Sequence, residues 1–356
     1  MAPPSLQLTV HTSLGTVAEP SSVAVEAAEL WATDEYAELG HKDFAYSARE
    51  LAATYADTET SRSVMVLARD RDKLIGLANA QIPDTDNRHL LAVELRIAPD
   101  AETAVVLDAL WSAISDLIHA ESRNTVIVWH ASRPSGKALT PKTGAGSVRR
   151  SAVTDWLTGR GFQLEQVEVA STLDVVDALT RAMTLESAGA AASAGYDLVS
   201  WTGPTPPQLR DALAVQRARM STDVPMGEVA MEPEVWDAAR IAAEDAAVIA
   251  MGRSQVWTVA VERTSGDVVA HTLLTCPDGW LPEVAYQDDT LVRTDHRGRR
   301  LGLRIKAANL RNLARHRPGV RRIHTWNADE NEWMLAINRQ LGYRPTSTLG
   351  CWQLRR

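Results

Sequence analysis

Two cysteines, Cys276 and Cys351, serve 356 residues, and no CxxC pair occurs. That leaves material for neither a disulfide framework nor a zinc site, so no metal and a reducing, cytoplasmic setting are expected. Positive charge is not in surplus either: 37 Lys and Arg face 45 Asp and Glu, a formal net charge of −8, which argues against a general nucleic-acid partner. No apolar run approaches the roughly 20 residues of a membrane span, and the opening "MAPPSLQLTV" has neither the basic start nor the apolar centre of a secretory signal. No membrane partner is expected. G-x-G-x-x-G is absent, and "SRPSGKALT" has the Gly136-Lys137 pair of a phosphate loop but neither the earlier glycine nor a following Ser or Thr.

What is present is an ordinary globular composition, 45% hydrophobic and 23% charged, over a length that suggests two domains. In the second half, Gln255–Arg263 and Val268–Cys276 alternate as strands around the turn residues "TSGD" and predict a hairpin. A third strand, Val284–Val292, runs into "TDHRGRRLGLRIK". Helical spacing then takes over through Leu301, Ile305, Ala308 and Leu313, with Arg304, Arg311 and Arg315 turned outward and Pro318-Gly319 as the stop. A short strand over Arg321–Asn327 and a helix over Asn331–Leu341, closed by Gly342, complete the series.

The first half repeats this order: strands at Ser63–Asp70, Lys73–Gln81 and Leu90–Pro99, a helix at Val105–Ala120, a strand at Thr125–Ala131 and a helix closing at Arg160–Phe162. Ile97 to Val292 is 195 positions and Trp129 to Trp326 is 197, whereas Gly161 to Gly342 is 181; the difference is absorbed by the loop Ser132–Arg150. These offsets imply an internal duplication, with a boundary near Ser193–Pro207 and domains at 1–192 and 193–356. Two unrelated α/β domains of similar element order are the alternative.

The basic run lies where a strand enters a helix, a place that exposes unpaired backbone N–H groups at the positive end of the helix dipole and suits a pyrophosphate. Gly298 and Gly302 allow close backbone approach. Arginine forks match phosphate geometry, which makes Arg297, Arg299, Arg300 and Arg304 candidates for a further phosphate. The plainer reading is a solvated basic helix start.

"VRTDHRGRRLG" between strand and helix, followed by "N…NEWMLAINRQLGY", resembles motifs A and B of the GCN5-related N-acetyltransferase (GNAT) superfamily. The doubled plan is similar to the tandem acetyltransferases of actinobacteria, mycothiol synthase among them. The detailed motifs cover only Tyr286 to Pro345. The resemblance implies an α/β (α+β layered) fold: two tandem GNAT-like domains, each a mixed, mostly antiparallel twisted sheet flanked by helices. It also implies acetyl-coenzyme A as cosubstrate, with Thr294, Arg297, Gly298, Arg299, Arg300, Leu301, Gly302 and Leu303 as its pyrophosphate loop. Leu291 and Val292 would hold the pantetheine arm through a slot where this strand splays from the next. Asn327, Asn331 and Met334 stand where the arm finds further partners; Asn331 fits a helix N-cap equally well, and Trp326, Trp333 and Met334 fit packing roles.

The sequence departs from the family's Gln/Arg-x-x-Gly-x-Gly/Ala at the central glycine, which is Arg300. An ordinary helical φ at Arg300, the expected state, leaves the cradle intact; a positive φ weakens it. In the first half the aligned residues are Glu102 to Leu107, with an acid and no glycine, so that half is not expected to bind the coenzyme.

The implied reaction is acetyl transfer to a primary amine of a small molecule. A carboxylate must take the amine proton. Asp288 and Asp289 precede Val292 on opposite strand faces, so at most one faces the slot; Glu283 and His271 are reserves. The family's tyrosine acid, seven residues after Asn331, is here Asn338, which has no proton to give at useful pKa, while Tyr343 lies five residues further and off that face. Acceptor selection is expected from Gln216–Arg240, through Asp223, Glu228, Glu232 and Glu234 and the methionines Met220, Met226 and Met231. The chain is expected to act as a monomer or homodimer. A coenzyme A-binding pseudoenzyme or sensor is the alternative that Arg300 and Asn338 suggest.

Overall fold

The computed structural model describes residues 6–56, 58, 60–134 and 136–356; residues 1–5 of the opening stretch and residue 135 of the Ser132–Arg150 loop lie outside them. The chain forms two compact units. Unit 1 holds Met1–Glu168, Met226–Glu232 and Ser347–Arg356; unit 2 holds Val169–Pro225 and Pro233–Thr346.

Unit 1 begins with β1 (Gln7–His11), α1 (Ser22–Leu39), α2 (Ala48–Thr54), β2 (Ser61–Asp70), β3 (Lys73–Pro83) and β4 (Leu90–Ile97). It continues with α3 (Thr103–Ala120), β5 (Thr125–Ser132), the two-residue strands β6 (Ala138–Leu139) and β7 (Val148–Arg149), α4 (Ala152–Gly159) and the start of β8 (Gln163–Asp174). A capping box between Ser47 and Glu50 starts α2. The β2–β3 hairpin turns through Arg71, which takes φ 54°. Strand order is β1-β2-β3-β4-β5-β14-β8; from β1 to β14 the pairs are antiparallel except for the parallel β4–β5 pair. α3 lays Val106, Leu107, Leu110, Ile114 and Ile118 on one face of this sheet. By length and composition that helix could cross a membrane, although its sequence holds no unbroken apolar run of that length; its apolar stripe is spent on the core.

Unit 2 continues from the end of β8 through α5 (Val175–Gly189), β9 (Tyr196–Thr202), α6 (Arg210–Ala218), the single turn α7 (Met220–Asp223) and α8 (Ala238–Ala250). Then come β10 (Arg253–Glu262), β11 (Val268–Pro277), β12 (Val284–Val292), α9 (Leu301–His316), β13 (Arg322–Ala328), α10 (Glu332–Leu341) and β14 (Arg344–Arg355), the last residues of which return to unit 1. Strand order is β8-β13-β12-β11-β10-β9, with β12–β13 parallel and the β9 to β12 meander antiparallel. Each unit is therefore a mixed, mostly antiparallel sheet flanked by helices.

The units divide the chain differently from a cut between 192 and 193. In unit 1 the place beside β5 is filled by β14, from the far end of the chain, with Thr348–Arg355 paired to Thr125–Ser132. In unit 2 the place beside β13 is filled by β8. Eight positions of ladder and the buried Cys351 and Trp352 hold the chain's end in unit 1. Both cysteines are buried and free.

Trp352→Ala is expected to cost about 3–5 kcal/mol in urea unfolding, as for other buried aromatic truncations. Amide protection should fall in β4 and β5 while β10 to β12 keep theirs; loss confined to β12 and β13 would contradict the assignment of β14 to unit 1.

Candidate active site

The site of unit 2 is built where β12 and β13 part. The two strands pair in register only from Val284–Gln287 to Arg322–Thr325, so Asp288–Val292 and Trp326–Ala328 diverge. On its other side β12 stays paired to β11, with a bulge that sets Asp288 and Asp289 against the single residue Leu273. The Gln287 side chain pins this bulge: its Nε2 donates to Leu273 O at 2.5 Å, Thr272 Oγ1 at 3.0 Å and Asp289 O at 3.1 Å. Arg293 N–H bonds Val269 O at 2.9 Å, so strand alternation turns the N–H and C=O of Val292 to the opposite, parted edge. There Val292 O accepts from Arg297 Nε at 3.3 Å. Leu291 itself is a buried packing residue.

Between β12 and α9 the backbone is bent by two left-handed residues, Gly298 at φ 79° and Arg300 at φ 57°. Arg300 is the N-cap of α9, without a side-chain cap bond. The helical φ expected for Arg300 is therefore not observed: the turn needs a positive φ, and a side chain tolerates the place because it is exposed. The left-handed state of a non-glycine residue costs roughly 1 kcal/mol. A positive φ is the state expected to weaken the cradle. Among the described residues, the backbone N–H groups from Gly298 to Leu303 find no acceptor within the protein. Six consecutive free donors at a helix N-terminus fit an anion of pyrophosphate size. The side chains of Leu301 and Leu303 are buried, so these two residues offer only their amides. Gly302 is wanted for closeness: a Cβ there would come within 3.0 Å of Ile337 Cδ1 and 3.6 Å of Val292 Cγ2.

The arginines divide. Arg299 bonds the Tyr196 hydroxyl and His296 Nδ1, and Arg304 bonds Ser193 O at 3.0 Å and Ser193 Oγ at 2.9 Å. Both tie α9 to the entry of β9 and are spent on structure, against the expectation that they serve a phosphate. Thr294 Oγ1 donates to the Asp223 carboxylate at 3.3 Å, and Arg297 Nη2 to Asp223 O at 3.2 Å, which anchors the loop. The Arg300 side chain is exposed and has no hydrogen bond or ion pair among the described residues, while its carbonyl accepts from Arg304 N–H at 3.1 Å.

Of the two aspartates, Asp289 is held in an ion pair with Arg217 of α6. Asp288 is exposed on the parted stretch of β12. Surrounding protein pushes its carboxyl above the usual range, and the Thr275 hydroxyl and the charges of Arg253 and Arg217 offset this only in part; water reaching its open side moderates the push. The rings of Trp326 and His324 lie 6.2 and 6.5 Å from that of Tyr286, the cross-strand partner of Thr275. Neither reserve base fits: His271 is fully buried and held neutral, pushed down to about 3 by burial and Arg217, and Glu283 pairs with Arg322 at the far end of β12. Among the described residues no cluster could hold a metal ion.

Asn331 caps α10, accepting from Met334 N–H at 3.2 Å; Met334 is half-buried on that first turn, and Trp333 is 85% exposed, so its packing role is not observed. Asn338 is buried rather than lining solvent. It accepts from Lys306 Nζ at 2.7 Å and donates to Asn327 Oδ1 at 2.6 Å. Lys306 escaped the sequence reading; it is 3% exposed, and burial pushes its pKa down to about 7. The expected acceptor wall divides as well. Met226, Glu228, Met231 and Glu232 belong to unit 1, where Ala230 N–H bonds Gln353 and Glu232 N–H bonds Asn87. Asp223, Glu234 and Met220 stay in unit 2, with Glu234 bonded to Trp236 and paired with Arg240.

In unit 1, β4 and β5 also pair over only four positions, Leu90–Val93 with Thr125–Val128. The turn into α3 has no positive-φ residue, and Val106 packs onto Gly76, where even a Cβ would lie 2.2 Å from Val106 Cγ1. The parted strands persist there without the cradle.

Lys306 gives a test of this packing. Unfolded, it holds its proton up to about 10.5; folded, it releases it near 7. Between these values the unfolded state binds more protons, so stability should rise with pH from 7 to 10, by up to about 1.4 kcal/mol per unit from this group. Urea unfolding of Lys306→Met should lose that slope; an unchanged slope would mean that Lys306 reaches water.

No protein-family model matches the sequence, and no curated protein matches it significantly. Solved structures do. A tandem GNAT protein from the clavulanic acid biosynthesis pathway, solved without acetyl-coenzyme A, superposes with a TM-score of 0.72 at 20% identity over 98% of each chain. A GCN5-related N-acetyltransferase from Sphaerobacter thermophilus gives 0.57 at 15% identity over 98% of this chain and 95% of that one. A glucosamine N-acetyltransferase region of a fungal multi-domain β-N-acetylglucosaminidase gives 0.60 at 13% identity, covering 99% of this chain and 38% of the other. With these likenesses and the duplicated, parted sheets, the chain has the fold of the tandem GNAT proteins.

Proposed function

We propose that the chain is an acetyl-coenzyme A-dependent N-acetyltransferase for a primary amine of a small molecule, working through unit 2. The observation that carries this reading is the row of free amides from Gly298 to Leu303 at the mouth of the parted strands. The amides and Arg300 take the phosphates, and the pantetheine arm lies along the free edge of β12, where Val292 N–H polarises the thioester carbonyl. Asp288, open to solvent at the bulge and with its carboxyl pushed above the usual range by surrounding protein, takes the proton from the ammonium directly or through water. The amine nitrogen then attacks the carbonyl carbon, the C–S bond breaks, and the acetyl group leaves as an amide. Tyr286, Trp326 and His324 beside Asp288 suit an amine carried on an apolar or flat body. The 20% identity of the clavulanic acid pathway protein gives no ground for transferring its substrate.

Calorimetric titration should show one equivalent of acetyl-coenzyme A per chain, with Arg297→Glu weakening it at least tenfold; two equivalents would contradict the assignment to unit 2 alone. With an amine panel and thiol detection, kcat/KM should rise with pH as Asp288 loses its proton, at a pH above the ordinary carboxylate range. Asp288→Asn should abolish this limb and cut kcat by roughly 100-fold or more. Full activity in that variant rules Asp288 out as base. Binding without turnover across the panel favours a coenzyme A sensor instead.

A further inference from the structure

Lys306 is an expensive residue for its place. It lies in the second turn of α9, 3% exposed, with no carboxylate at ion-pair distance among the described residues. An apolar side chain would fill the same space without the desolvation penalty. Its Nζ stands 5.1 Å from the centre of the Tyr343 ring and donates to Asn338 Oδ1 at 2.7 Å. Because the Asn338 oxygen is taken by Lys306, its Nδ2 is the end that faces Asn327, whose Oδ1 it reaches at 2.6 Å. The Asn327 oxygen is thereby taken too. Its own Nδ2 is left as the terminal donor, and it has no partner among the described residues. Asn327 sits on β13 two residues beyond Thr325, the last position that pairs with β12, which is the wall of the slot. A buried amine is thus wired through two carboxamides, each held in one orientation, to a single N–H at the parted strands.

We propose that Lys306 is a positioning residue for the departing sulfur: through Asn338 it aims the Asn327 Nδ2–H at the thiolate that forms when the thioester breaks. This rests on the acetyl-transfer reading above. In that step the N–C bond forms and the C–S bond breaks. The C–S electron pair goes to sulfur; Asp288 passes the ammonium proton on to water before the attack and then takes the proton that nitrogen sheds as it becomes an amide, and the thiolate later takes a proton from water. No proton passes through the two amides, which only orient and polarise. Lys306 acts through its Nζ–H bond to Asn338, which fixes both carboxamides, and the Tyr343 hydroxyl, the other titratable group against Lys306, stays neutral because burial pushes it up. The arrangement does by hydrogen bonding what a proton donor at position 338 would do by acid catalysis.

Coenzyme A itself is the probe, used with the full chain. Ultraviolet absorbance of the thiolate, followed against pH with the ligand saturated, gives the pKa of the bound thiol. It should lie at least one unit below the value near 8.5 typical of a free thiol. In Lys306→Met, and separately in Asn327→Ala, it should return to that of free coenzyme A, while the affinity of Lys306→Met at pH 6 stays within threefold of the parent. In the transferase assay both variants should lose kcat at least tenfold, and Lys306→Met should leave KM for acetyl-coenzyme A unchanged. A bound thiol that titrates as free coenzyme A in the parent overturns this inference and leaves the proposed function standing, as does a shift that survives both substitutions. If Lys306→Met fails to fold, Asn327→Ala, at a half-buried position, decides alone. Failure of coenzyme A to bind the parent sinks the proposed function and this inference with it.

Discussion

The hydrogen bonds of one carboxamide, that of Gln287, organise the centre of unit 2. With Nε2 shared among Leu273 O, Thr272 Oγ1 and Asp289 O, it fixes the bulge at the residue where β12 stops pairing with β13. A bulge adds local twist and spoils the ladder beyond it. Everything in the proposed chemistry stems from that loss of pairing: a free strand edge at Val292, an exposed Asp288, and an Asn327 beyond the last position of β13 that pairs with β12. The sheet gives up hydrogen bonds on one side of β12 and keeps them on the other.

Duplication makes the comparison internal. Both units part their parallel strand pair after four positions. They differ in the turn that leads from the strand into the helix. In unit 2 two left-handed residues, Gly298 and Arg300, bend the chain before α9 begins, and the amides from Gly298 to Leu303 find no acceptor among the described residues. In unit 1 the turn has no such residue and Val106 is pressed onto Gly76, so the start of α3 serves the core. The same framework thus carries a row of unpaired amides in one unit and a packing contact in the other.

Much of the fold is legible in the sequence because its signals are local. Turn residues at Arg71-Asp72 and at "TSGD" bracket the hairpins, and the span Val284–Val292 reads as a strand end to end. The choice of strand partner is not legible: β8 and β14 are both 12 residues long, and nothing local tells either which neighbour it will take. Lys306 is hidden for a related reason. Spacing marks one apolar face on α9, but α5 covers a second, so Leu303, Lys306 and Leu310 are buried as well. A boundary at 192 places α5 in the other half, which leaves that burial without a visible cause. Asp288 and Asp289 stand out in the sequence only as a pair; the position of Arg217 on α6 separates them.

The central claim, that the start of α9 and not that of α3 receives the phosphates, is tested most directly by hydrogen exchange with and without acetyl-coenzyme A. The account predicts that the amides of Gly298 to Leu303 slow on binding while those of Glu102 to Leu107 are unchanged. Slowing confined to Glu102–Leu107, or binding that leaves Gly298–Leu303 exchanging as before, would contradict it.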